Sequence, residues 1–280
     1  MITVLNILKE NEHTFSDRIK GLFFPYRIET ELKRRGNISV YSLVYHRRRG
    51  DIRFDKIYEK CIGLNKVLLC DKNVNLFNTH FRRFESYGLQ RRLMINYLCH
   101  ILELAEISPD NLIISYYDPN GSHPSVLQEL LEFTSDITVV TDMPAFYEKE
   151  AQRISDDNGA VIRVSNEISA LYPCDILIAP DVIRKNIPTA RSTLVFTVDR
   201  PYVPIKGNII YRYPSDYPKE LCELCPEGTE LWYFMSAMYT ICKQKQLGEL
   251  VPDSCSDLYM TFSADMMIRQ IRARCMFLSV

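Results

Sequence analysis

Apolar positions recur in two different rhythms along this chain. From residue 110 onward, short apolar runs alternate with stretches of helical spacing. The runs Leu112–Tyr117, Ile137–Thr141, Ala160–Val164, Asp175–Ala179, Leu194–Val198 and Ile209–Tyr211 are nearly continuous in apolar residues, the signature of strands covered on both faces. Between them lie helical segments. Pro124–Thr134 has a proline near its first turn, Ala145–Asp156 is amphipathic and closed by Asn158-Gly159, and Glu167–Leu171 is short. Strands separated by helices pair in parallel through right-handed crossovers, so 109–213 is predicted to be a doubly wound parallel sheet.

The flanks follow other patterns. Residues 3–24 are predicted to be mainly helical, ending at the apolar FFPY with Pro25. Strands are expected at Ile38–Tyr45 and Lys66–Cys70, with HRRRGD as the turn after the first. Residues 89–106 place Leu89, Leu93, Tyr97, Leu98, Ile101, Leu102 and Ala105 on one helical face, and Ser108-Pro109 stops that helix. Toward the C-terminus, Thr229 is placed to cap a helix running to Gly248, and a last helix spans Ser263–Leu278. In that last helix Met266, Met267, Ile271 and Cys275 oppose Arg269, Arg272 and Arg274, a face expected to pack on its own domain or across a two-fold dimer. Pro201–Pro218 holds four prolines and reads as a linker or an extended lid. The class is therefore α/β: a basic α/β region over 1–108, the doubly wound sheet over 109–213, and a helical region over 214–280.

Composition narrows the function classes. The chain has 280 residues, 46% apolar and 25% charged, with a formal charge of −1, which excludes a disordered chain and a generic polybasic nucleic-acid binder. Charge is uneven: residues 1–106 carry 19 Lys/Arg against 12 Asp/Glu, and the remainder carries the opposite excess. The excess admits a basic surface for an anionic ligand, but the basic residues fall in separate clusters (Lys33-Arg34-Arg35, Arg47-Arg48-Arg49, Arg82-Arg83, Arg91-Arg92), a pattern that favours solvated faces and internal docking. Nine scattered cysteines suit a reducing compartment, and no signal-peptide pattern or membrane-length apolar run is present, so a cytoplasmic protein without a membrane partner is expected.

The candidate chemistry concentrates after the first central strand, in Asp118-Pro119-Asn120-Gly121-Ser122-His123-Pro124. Open α/β sheets bind ligands beyond the carboxyl ends of their strands. Asp142 closes the next strand 21 residues after Gly121, where dinucleotide folds keep the acid that holds a ribose hydroxyl. Asp181 and Asp199 also end predicted strands. On these residues, with CDILIAPD over 174–181 and TLVFTVDRP over 193–201, the stretch 112–200 resembles the Rossmann-like NAD(P)-binding domain of shikimate dehydrogenase-like enzymes. The resemblance implies NAD or NADP as cofactor and an oxidoreductase activity, with Gly121 approaching the phosphates and Asp142 on the ribose. The fingerprint has three glycines, and this turn has one. The binding positions so nominated are Asp118, Asn120, Gly121, Ser122, Asp142 and Asp181.

The same turn also resembles the first motif of haloacid-dehalogenase-like phosphatases, which implies a phosphotransferase with Asp118 as nucleophile and Thr141 ending the second motif. Asn120 stands where that family has its proton-handling acid, and Lys185 and Asp181 stand in for its later motifs. A third class is a Rossmann-like protein without catalysis, devoted to interaction or assembly. His123 is the histidine beside the predicted crevice. Cys222-Glu-Leu-Cys225 has metal or redox spacing but lies at a helix end before Pro226, so a structural role is expected. The partners expected are a nucleotide or small molecule and a second copy of the chain.

Overall fold

The computed structural model describes residues 1–10, 22–158 and 161–276, with side chains omitted at 155–158 and 276. Two compact units emerge, each built from two stretches of chain: 1–89 with 217–247, and 90–216 with 248–280.

The first unit carries a five-stranded sheet in the order β2-β3-β1-β4-β5, formed by β1 (Ile2–Lys9), β2 (Tyr26–Arg35), β3 (Ile38–Arg47), β4 (Val67–Cys70) and β5 (Arg82–Arg83). β1 corrects the helix predicted from residue 3: it is a strand, parallel to both β3 and β4. The physical reason lies in its first half, where Ile2, Thr3, Val4 and Leu5 are all buried. A half-exposed helix would bury only one stripe, whereas a central strand buries both faces. The rest of that predicted helix, 11–21, lies outside the described residues. The strand expectations at 38–45 and 66–70 hold, and β2 adds an antiparallel partner to β3. Leu5, Leu43, Tyr45, Ile57, Leu68 and Phe81 form the core. The later stretch joins this unit through helix Leu231–Thr240, whose Phe234, Met235, Ala237 and Met238 are buried, and through Asn6 Nδ2, which donates to Glu227 O at 2.7 Å. That helix starts after Glu230 rather than Thr229 and stops at Thr240, short of Gly248, and Lys243 beyond its end is left-handed at φ +54°.

The second unit holds six strands, β6 (Ile114–Tyr117), β7 (Asp136–Val140), β8 (Val161–Ser165), β9 (Ile176–Ala179), β10 (Leu194–Thr197) and β11 (Asn208–Ile210). All pair in parallel, in the order β11-β10-β9-β6-β7-β8. Counted from β6, that is 3-2-1-4-5-6 read from the other edge, the Rossmann arrangement. Burial follows position: every residue of β6, β9 and β10 is buried, while the edge strands β8 and β11 are partly exposed.

The predicted helix 124–134 shrinks to Val126–Leu130, and Glu167–Leu171 becomes the 3-10 turn Ile168–Leu171. The helix Pro144–Asn158 stands as expected, and Gly159 of its predicted cap lies outside the described residues. The stretch 201–218, expected as a linker or an extended lid, contains β11, in agreement with the strand expected at Ile209–Tyr211. Gly207 makes this possible: its φ is +111°, and a Cβ there would lie 2.6 Å from Thr193 O. The helix Gly88–Ala105 begins at the boundary of the two units. The last helix, Ala264–Met276, buries Met267, Ile268, Ile271 and Cys275 and leaves Met266 exposed, so its apolar face packs largely inside its own unit. A small antiparallel hairpin, β12 (Ser254–Ser256) and β13 (Thr261–Ser263), precedes it. Among the described residues no helix is long and apolar enough to cross a membrane.

Several arginines of the basic clusters have partners within the protein. Arg35 pairs with Glu223, Arg48 with Glu10, Arg91 with Asp181 and Arg92 with Glu129, while Arg47 donates to Gly50 O.

Candidate functional site

The order of strands reverses between β6 and β9, which lie side by side. Chains that diverge from such a point leave a crevice beyond the carboxyl ends of the strands. The turn after β6 (Asp118–Pro124), Asp142 after β7 and Asp181 after β9 all reach that edge.

Asp118 does not face the crevice as an open carboxylate. It is fully buried, and its Oδ2 accepts the His123 N–H at 2.8 Å and the Tyr147 hydroxyl at 2.6 Å. Its Oδ1 is buried without a hydrogen-bond partner. Tyr116 donates to His123 O at 3.0 Å. Burial pushes both tyrosine hydroxyls upward, so they remain protonated donors and hold the turn from beneath. The Gly121 N–H donates to Asp118 O, and its φ of +64° suits glycine. A Cβ at Gly121 would stand 2.9 Å from the Met143 Cβ, so this glycine is also required by packing against the next loop. Ser122 is exposed.

Asn120 and Asp181 come together. Asn120 Nδ2 donates to Asp181 Oδ2 at 3.4 Å, Arg91 donates to Asp181 Oδ1 at 2.7 Å and to Pro180 O at 2.8 Å, and His123 Nε2 lies 3.7 Å from Asp181 Oδ1. His123 and Arg91 hold the Asp181 carboxyl down to about 2. This polar bridge ties the loop after β6 to the loop after β9, directly across the strand reversal. Asp142 pairs elsewhere, with Lys185 Nζ at 3.2 Å, and its side chain is 61% exposed. Its N–H donates to Pro119 O at 3.1 Å, which fixes the loop but leaves the carboxylate open to accept further donors. Asp199 accepts the N–H of Arg200 at 2.8 Å.

Sequence reasoning did not nominate Arg91 or Tyr147 for this site. Arg91 looked like one of several surface clusters, and Tyr147 sits on the apolar side of an amphipathic helix, where a core role is the default reading. An acid directly at the end of a fully apolar strand was the signal that such donors had to exist, because a buried carboxylate needs partners.

The other candidates do not assemble. As a phosphotransferase nucleophile Asp118 would have to reach an incoming phosphorus, and its carboxylate is fully buried, with Oδ2 held by Tyr147 and the His123 N–H. Cys222 and Cys225 donate to Tyr217 O and to Thr229 O at 3.7 and 3.6 Å, and burial pushes the Cys225 thiol up to about 11, away from the thiolate that metal or redox work requires. No cluster of three or more metal-ligating side chains occurs among the described residues.

No family model and no curated protein matches the chain. Among solved structures, a shikimate dehydrogenase in complex with NADP+ is 10% identical with a TM-score of 0.32, over 100% of this chain and 96% of that one. The quinate dehydrogenase of Corynebacterium glutamicum in complex with NAD is 11% identical with a TM-score of 0.31, over 100% of this chain and 99% of that one. The Δ1-pyrroline-2-carboxylate reductase of Thermococcus litoralis, in complex with NADH and L-proline, is 15% identical with a TM-score of 0.31; the match covers 42% of this chain, which spans only 38% of that one. The Rossmann-like assignment itself rests on the strand order and the parallel pairing of the six-stranded sheet.

Proposed function

We propose that the crevice at the ends of β6, β7 and β9 binds a ribose-bearing ligand, with Asp142 accepting its hydroxyls. The observation that carries this reading is the exposed Asp142 carboxylate at the end of the second strand of the Rossmann order. Ribose-bearing compounds, from nucleosides to dinucleotides such as NAD and NADP, are the range from which such a ligand comes, and the fit of the phosphates at the turn after β6 selects among them. The oxidoreductase role implied by the family resemblance belongs to this reading as far as the crevice admits the two phosphates of a dinucleotide. All nine cysteines are free thiols, which is why the proposal places the protein in a reducing compartment such as the cytoplasm.

A thermal-shift series with adenosine, ADP, NAD+ and NADP+ tests the assignment. A ligand at 100 times its Kd stabilises the native state by about 2.7 kcal/mol, a readily seen rise in Tm. Asp142→Ala is expected to weaken binding about fivefold or more, the ribose contacts being charge-assisted, while leaving the melting temperature of the free protein unchanged. Unchanged affinity in that variant rejects the role of Asp142.

A second reading, interaction without catalysis, is favoured by the bridge of Arg91, Asn120 and His123 on Asp181 and by Leu258, Tyr259 and Met260, exposed together at the tip of the β12–β13 hairpin. A second copy of the chain is the partner proposed. A monomeric mass by light scattering, in wild type and Tyr259→Ser alike, rejects it.

A further inference from the structure

The turn after β6 commits two of its backbone donors within itself. Pro119 and Pro124 carry no N–H. The Gly121 N–H goes to Asp118 O and the His123 N–H to Asp118 Oδ2. A phosphate bound at a Rossmann turn relies on such backbone donors, on a helix N-terminus and on cations. The helix that follows here is only five residues long, Val126–Leu130. Arg91 is committed to Asp181, and Lys185 to Asp142. Under the turn, in place of an incoming anion, sits the Asp118 carboxylate, fully buried, with Tyr147 as a further donor and Oδ1 left without a partner.

We propose that Asp118 is a built-in anion: its carboxylate takes the His123 N–H, a backbone donor that a phosphate would use, and repels phosphate from the crevice. The ligand class is then uncharged or positively charged nucleosides, not NAD, NADP or other pyrophosphate-bearing nucleotides. The residues at this turn do not fit a dinucleotide's phosphates, while Asp142 does fit a ribose. The proposal rests on the ribose reading for the identity of the ligand. The exclusion of phosphate rests on the turn and Asp118, independently of that reading.

Titration calorimetry on the full chain compares adenosine with ADP, S-adenosylmethionine with NAD+, and each with inorganic pyrophosphate. Adenosine and S-adenosylmethionine are expected to bind at least tenfold more tightly than ADP and NAD+, and pyrophosphate is expected not to bind. Asp118→Asn keeps an acceptor for the His123 N–H and the Tyr147 hydroxyl but removes the charge. It is expected to narrow the adenosine-to-ADP gap tenfold or more and to create measurable pyrophosphate binding. Wild-type protein that binds ADP or NAD+ as tightly as adenosine, with the affinity lost in Asp142→Ala, overturns the exclusion and leaves the ribose reading standing. Pyrophosphate binding to wild type overturns the exclusion whatever the nucleosides do. Binding of none of these probes overturns both readings. Should Asp118→Asn fail to fold by circular dichroism, the wild-type comparison of adenosine with ADP decides.

Discussion

Asp181 gathers Arg91, His123 and Asn120 around one carboxylate, and its titration carries a stability consequence. Its pKa falls from an ordinary 3.8 to about 2, so the folded state binds its proton more weakly than the unfolded state does. The stabilisation is therefore fully present above the ordinary value and is lost as pH drops toward the lowered one. It amounts to about 2 kcal/mol. Asp181→Asn is expected to cost about that much in urea unfolding at pH 7, more if Arg91 is left uncompensated, and almost nothing near pH 2. An equal loss at both pH values would show that packing, not charge, holds this loop. Glycine offers a second contrast between residues. Gly207→Ala must adopt a left-handed φ and push Thr193 O away from 2.6 Å, whereas a Cβ at Gly36 meets nothing within 4 Å. The first is expected to cost roughly 1–3 kcal/mol beyond the second, by denaturant midpoint. Gly36 lies in the αL well at φ +54° and Gly207 beyond it at φ +111°, so the difference reports the collision and the greater backbone strain together.

Among the elements, β1 shows how burial decides between helix and strand. Leu5 is 1% exposed and Leu8 is 49% exposed. Leu5→Ala is expected to lower stability by about 2–5 kcal/mol and Leu8→Ala by under about 0.5 kcal/mol, read from urea unfolding of each variant. Comparable losses at the two positions would contradict the strand as described. The alternating elements of the second unit were legible because both linear signals agreed: apolar runs of strand length, and amphipathic stretches between them. β1 was misread because MITVLNILK offers strand propensity and helical spacing together, and only its two parallel neighbours resolve the choice. Val126–Leu130 came out shorter than its apolar spacing suggested. The turn before it is committed to Asp118, and the chain leaves that turn with only one helical turn to spend.

At the scale of the whole chain, each unit combines two distant stretches. The second unit includes buried side chains from outside 109–213: Leu93, Met94 and Tyr97 of the preceding helix, and Met267 and Ile271 of the last one. An isolated 109–213 fragment is expected to lack a cooperative thermal transition and to bind a hydrophobic dye, because those missing side chains leave apolar surface bare. A sharp melting transition in the fragment would mean that the central segment folds alone. Linear reading has no access to such pairings of distant stretches, since no local periodicity marks which later helix returns to which sheet.

The amino-acid sequence by itself determined the α/β class, the order of strands and helices over 110–213, and the acids that end the strands, because periodicity and strand length are local properties of the chain. It also placed Asp118, Asn120, Gly121, Ser122, Asp142 and Asp181 at one edge of the sheet, since parallel strands put all their carboxyl ends together. What only the tertiary structure decided is which way those side chains face. Asp118 turns inward to Tyr147 from a helix 29 residues away, Asp181 is claimed by Arg91 from a helix 90 residues earlier, and Asp142 alone of the three stays open beside Lys185. A carboxylate's role depends on the donors that reach it, and those donors arrive through packing between elements far apart in the chain.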